Sequence, residues 1–179
     1  MKIVLDTCVL YPTVMRQVIL GAAEAGAFTP VWSARILEEW SRAAIKLGPQ
    51  GQVQADAEIT QTRVRFPQAE ALVPDGLAAR LWLPDANDVH VLAVAVCTSS
   101  DAIMTLNAKD FPRGVLAEEG VGRIDPDTYL FGLWKAEPEM MTSVTQRVLQ
   151  DARALSGSDR QMRALLKKAR LPRLAKALS

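Results

Sequence analysis

Ile3, Val4 and Leu5 form an unbroken apolar run, and an acid, Asp6, follows at once. Continuous apolar runs mark strands covered on both faces, whereas alternation marks half-exposed ones. Residues 2–5 therefore predict a first, buried strand. Over 13–25 the period changes: Met15, Val18, Ile19, Ala22 and Ala23 share one helical face, and Gly26 supplies a stop. "FTPVW" (28–32) predicts a second strand, and Ser33 the N-cap of a helix over 34–47 with Ile36, Trp40, Ala43 and Leu47 on one side. "LGPQGQ" predicts a break, and 54–66 a polar helix ended by Pro67. "LPDANDVHVLAVAVC" (83–97) predicts a turn and then a helix apolar on almost every side, hence buried. "DAIMTLN" (101–107) predicts a third strand and Val121–Ile124 a fourth. "DPDTYLFGLW" (125–134) predicts a short helix with Pro126 in its first turn. Beyond Pro138 the pattern is helical throughout. Met141, Val144, Val148 and Leu155 make one stripe, "SGSD" interrupts it, Ser158 and Gln161 predict a capping box for a last helix, and Pro172 predicts its end.

Strands alternating with helices predict an α/β domain with a mainly parallel sheet. The switch to helix alone places the domain at 1–136 and a helical extension at 137–179.

Composition narrows the classes. Hydrophobic residues are 49% of the 179, enough for a sizeable core, and 21 basic residues nearly balance 20 acidic ones. Nucleic-acid contact must then come from local clustering of charge. Cys8 and Cys97 both lie in apolar runs, which reads as reduced, buried thiols, and neither they nor the single His90 offer zinc spacing. The apolar start is cut short by Asp6, and no run is long enough to span a bilayer, so the expectation is a cytoplasmic protein without a membrane segment.

In open parallel sheets ligands bind beyond the carboxyl ends of the strands. Asp6 stands at one such end, and Asn107 and Asp110 stand just past another, with no Gly-rich phosphate loop at either. On the helix at 34–47, Glu39 lies beside the apolar stripe, whereas Glu38 precedes Arg42 by four, a solvated pairing position. In "PDAND", Asp85 suits a cap and Asp88 the first turn, on a face continuing through Leu92 into the core. Asp6, Glu39, Asp88 and Asp110 are thus expected to meet at one edge of the sheet. Unpaired, they raise one another's pKa. A hard divalent cation with oxygen ligands relieves that, and such sites activate water against phosphoryl groups.

"VLDTCVL", "WSARILEEWSRA", "LPDANDVHVLAVAV" and "IMTLNAKDFP", in this order, resemble the PIN-domain family of metal-dependent ribonucleases, most closely the branch of VapC-type toxins of bacterial toxin–antitoxin pairs. The resemblance implies a three-layer α/β/α fold and RNA phosphodiester cleavage with Mg²⁺ or Mn²⁺. It matches the family's acids to Asp6, Glu39, Asp88 and Asp110, and the supporting polar positions to Thr7, Thr105 and Asn107. Cys8 stands where many members carry asparagine. A cognate antitoxin and a homodimer are the partners implied, with a surface near Trp40 or Trp82 as their meeting place.

Bland readings stand beside these. Asp85 and Asp88 could serve only a helix N-terminus, Asp110 only a turn. His90 is either a packed helix residue or a phosphate contact at the rim of the site. Arg160, Arg163, Lys167 and Lys168, with Arg170, Arg173 and Lys176, are either an RNA-backbone contact or the solvated face of a helix packed through Met162, Leu166 and Ala169. Three other functions remain: an RNA-processing nuclease outside toxin–antitoxin systems, an inactive RNA- or protein-binding relative, and a phosphohydrolase forming an aspartyl phosphate. The last typically needs a second Asp where Cys8 stands.

Overall fold

Ile3, Val4 and Leu5 are fully buried in β1 (Lys2–Leu5) of the computed structural model, which describes residues 1–178. One residue, Asp6, separates β1 from a single helical turn, α1 (Thr7–Leu10), and α2 (Thr13–Glu24) follows. Ser33 ends β2 (Thr29–Ser33) and caps α3 (Ala34–Ala44), its hydroxyl accepting from Ile36 N at 3.3 Å. The break expected over "LGPQGQ" contracts to Gly48, whose φ of 90° suits glycine. Pro49 then opens α4 (Pro49–Arg65), because a proline at the first helical position has no intrahelical amide to lose.

A two-residue strand, β3 (Glu70–Ala71), is too short to carry a pattern and was not predicted. The 3-10 turn Ala86–Asp88 leads into α5 (Val89–Cys97), buried from His90 through Ala95. Then come β4 (Ala102–Met104), α6 (Arg113–Glu118), β5 (Gly122–Ile124) and α7 (Pro126–Ala136).

The C-terminal helices depart from expectation in three places. In α8 (Pro138–Ser156) Met141, Val144 and Val148 are buried, but Leu155 is 82% exposed, because the helix runs on past its packing surface. Ser158 makes no capping box: α9 (Met162–Lys168) has Gln161 as its N-cap residue, without a side-chain cap. Pro172 opens α10 (Pro172–Ala177) instead of closing a helix, as a proline in the first turn can. Cys8 and Cys97 are unpaired thiols as expected, but half-buried. Trp32 and Trp40 are core residues, so Trp40 offers no outer surface; Trp82 is 64% exposed.

The chain packs as two compact units. The first comprises residues 1–11 and 29–123 and holds the sheet, in order β3-β2-β1-β4-β5. Pairings are parallel, with Val4 opposite Val31 on one side and Ile103 on the other. From β1 the strands run one way to β2 and β3 and the other way to β4 and β5. Right-handed crossovers then put α3 and α4 on one face and α5 on the other. α5 packs on β1, β2 and β4. The order reverses between β1 and β4, and the carboxyl ends of these two strands border the crevice where such sheets bind ligands.

The second unit comprises residues 12–28 and 124 onward, and beyond Ile124 of β5 its elements are helical. α2 packs on α8 and α9, α7 on α8, and α10 on α7 and α9. A methyl on Gly21 of α2 would lie 2.7 Å from Val144 Cγ1 of α8, so the absent side chain lets the two approach. Among the described residues no helix is long and apolar enough to cross a membrane.

Candidate metal centre

Asp6 occupies the N-cap position of α1, yet its side chain does not cap that helix. Its amide extends the sheet, donating to Met104 O at 3.2 Å, and its carboxylate meets the residues after β4. Thr105 Oγ1 donates to Asp6 Oδ2 at 2.7 Å, and Cys8 Sγ donates to the same oxygen at 3.0 Å. Burial pushes the Cys8 thiol up to about 12, and the negative charge of Asp6 adds to that. The thiol therefore stays protonated and serves as a donor, not as a thiolate ligand. Its sulfur also accepts from Leu106 N at 3.2 Å.

The turn after β4 arranges the next two acids. Thr105 Oγ1 accepts from Asn107 N at 2.9 Å. The Asn107 amide then donates to Asp110 Oδ2 at 2.7 Å and to Asp88 Oδ2 at 3.4 Å. Asp85 caps the 3-10 turn, as expected, its Oδ1 accepting from Asn87 N at 2.9 Å. It does more than cap. One carboxylate oxygen each from Asp85, Asp88 and Asp110 lies within 4.8 Å of the others. The 3-10 geometry explains this, since residues three apart eclipse one another. The Asp85–Asp88 spacing carried that signal in the sequence, but it requires knowing the turn is 3-10 and not α.

Glu39 and Glu38 face different ways. Glu38 pairs with exposed Arg42. Glu39 Oε2 accepts from Thr7 Oγ1 at 3.2 Å, and its Oε1 lies 2.8 Å from His90 Nε2 and 3.4 Å from Arg35 Nε. Burial by itself would raise the Glu39 carboxyl, but His90, Thr7 and Arg35 outweigh it and hold the group below the ordinary range. Of the four acids expected together, only Asp88 and Asp110 lie in this cluster. Asp6 acts on Asp88 through its charge but is not one of the three, Glu39 is engaged by His90, Thr7 and Arg35, and Asp85 joins the cluster. His90 is 8% exposed and turned to Glu39, so it forms part of the wall of the site and not a rim. Arg160, Arg163, Lys167 and Lys168 belong to the second unit and are exposed.

Electrostatics single out Asp88. Desolvation, then the charges of Asp6, Asp85 and Asp110, push its carboxyl up to about 6, with His90 pulling weakly the other way. Among the described residues, Asp6, Asp85, Asp88 and Asp110 form no ion pair, and only His90 eases the charge on Asp88. The donors of the site are carboxylate oxygens, the set that hard divalent cations take. The site fits such an ion.

A family model described as PIN domain matches residues 2–109, a span that includes Asp6, Glu39, Asp85 and Asp88 and stops just before Asp110. No curated protein and no solved structure matches the chain. With strands β1 to β4 inside a match that spans well over half of the 179 residues, the chain belongs to the PIN domain family.

Proposed function

We propose that the chain is a metal-dependent endoribonuclease and the toxin of a toxin–antitoxin pair. Membership of the PIN domain family points to a nuclease, generally a metal-dependent ribonuclease. The observation that carries the reading is the Asp85–Asp88–Asp110 cluster, with Asp88 pushed up to about 6 by burial first and then by the charges of Asp6, Asp85 and Asp110. Asp6, Asp88 and Asp110 would hold Mg²⁺ or Mn²⁺, with Asp85 in reach and Glu39 beside Thr7. A bound ion supplies a Lewis acid for the phosphoryl group and a hydroxide nucleophile at neutral pH.

The residues of the chain do the positioning. Thr105 and Cys8 both hold Asp6 Oδ2, which fixes the carboxylate plane. Asn107 sets the spacing of Asp88 and Asp110. Thr7 and His90 hold Glu39. No side-chain nucleophile is required, and the protonated Cys8 is not one.

Incubating the purified chain with single-stranded RNA and Mn²⁺ tests the chemistry. Cleavage is expected, lost on adding EDTA and lost in Asp6→Asn with an unchanged melting curve. Full cleavage by that variant would falsify the ligand role. The toxin assignment rests on resemblance and has its own test. Expression should arrest growth, and the product of an adjacent short reading frame should relieve the arrest; exposed Trp82 is the anchor proposed for that product or for a second copy. Cleavage without arrest would leave an RNA-processing nuclease, and RNA left intact would leave a binding module.

A further inference from the structure

We infer that α9 and α10 form a phosphate-binding surface for the backbone of single-stranded RNA, a choice of ligand that rests on the nuclease reading above. From Arg160 to Leu178 the chain carries seven cations and no acid, which leaves the remainder net acidic. α9 buries Leu165 and Leu166, and α10 buries Leu174 and Ala175. At about 100° per residue, Lys167 falls opposite the buried pair on α9 with Arg163 on its flank, and Arg173 and Lys176 fall opposite the buried pair on α10. All four are exposed, as are Lys168 and Arg170 near the connection. Among the described residues, none of these six side chains has an ion pair or hydrogen bond.

A merely solvated helix face mixes signs. α3 does so, pairing Arg35 with Glu39 and Glu38 with Arg42 at four-residue spacing. α9 instead places Arg163 and Lys167 at that spacing, a like-charge pair that destabilises a helix. The acid against α10, Asp127, is buried and engaged with the amides of Arg173 and Leu174 at 3.0 and 3.1 Å. Uncompensated repulsion spread over two helices calls for a polyanion. Protein interfaces are built on an apolar, aromatic-rich core, and membrane-surface helices lay an apolar face on lipid. Here the apolar faces of α9 and α10 are buried against neighbouring helices, and no aromatic residue lies beyond Trp134. Without aromatics there is no base stacking, so the contact is to backbone phosphate and independent of sequence.

Anisotropy of a labelled RNA of about 20 nucleotides, titrated with the full chain in EDTA across a range of KCl, tests this without any cleavage. Neutralising Arg163, Lys167, Lys168 and Lys176 to Gln should weaken binding at least roughly tenfold and flatten the plot of log K against log salt by about 3. Replacing Lys167, Lys168 and Lys176 by Arg should preserve both quantities. Unchanged affinity in the Gln variant overturns the inference, as it would if the surface served an acidic protein segment. Weakened affinity with an unchanged salt slope overturns it too, because that pattern marks damage to the fold. Since metal is absent, a failure here leaves the nuclease reading standing, and a chain that binds but never cleaves leaves this one standing.

Discussion

The thiol of Cys8 joins Asp6 to the turn after β4. It donates to Asp6 Oδ2 and accepts from Leu106 N. Cys8→Ala strands a partly buried amide, which costs roughly 1–3 kcal/mol. Cys8→Ser keeps both contacts and should cost less. Chemical denaturation in EDTA measures the order, and a serine variant less stable than the alanine one contradicts it. Asp88 sets the response to pH. Its carboxyl moves from the ordinary 3.8 to about 6 in the metal-free fold, so between these values the folded chain keeps a proton the unfolded chain has lost. This group's contribution to stability therefore falls as pH rises through that window. Cation and proton compete for the carboxylate, so Mn²⁺ affinity should climb as pH rises through about 6. Asp85→Asn removes a repelling charge and should move the midpoint of that climb to lower pH. Calorimetric Mn²⁺ titrations at several pH values read the midpoint, and one unmoved by the substitution rules out the charge coupling.

Helix α2 depends on a missing side chain. Gly21→Ala gains about 1 kcal/mol of helix propensity but drives a methyl to 2.7 Å from Val144 Cγ1. Overpacking of this kind costs roughly 1–3 kcal/mol, and the β-branched Val144 has little rotamer freedom to yield. The substitution should lower the unfolding midpoint, whereas a rise would show that α8 can shift. α10 depends on Asp127, whose two carboxylate oxygens accept its first amides. Asp127→Ala should destabilise by about 1–2 kcal/mol and raise hydrogen exchange over 172–177.

In the molecule as a whole, the proposed cation would act on one of its two units. Asp85, Asp88 and Asp110 all lie in the unit formed by residues 1–11 and 29–123. A ligand that binds only the folded state stabilises by about 2.7 kcal/mol at a hundredfold excess over its Kd. Saturating Mn²⁺ should raise the melting temperature, and Asp88→Asn should abolish the rise. Exchange protection should increase over residues 85–110, and protection confined to other regions would place the ion elsewhere.

Much of this was determined by the chain itself. Unbroken apolar runs announced β1 and β4, and the all-round apolar stretch from Val89 announced α5. Glu39 could be told from Glu38 because the helical period alone orients them. Tertiary structure decided the rest. β3 is two residues long and exists through pairing with β2. Ser158 and Pro172 have local signatures that packing overrode. Asp85 joined the cluster because a 3-10 turn stacks residues three apart, and Glu39 acquired His90 because α3 and α5 lie within one unit. Periodicity reports which face of an element is buried; it carries no distance between side chains on different elements, and the chemistry of this site lies in those distances.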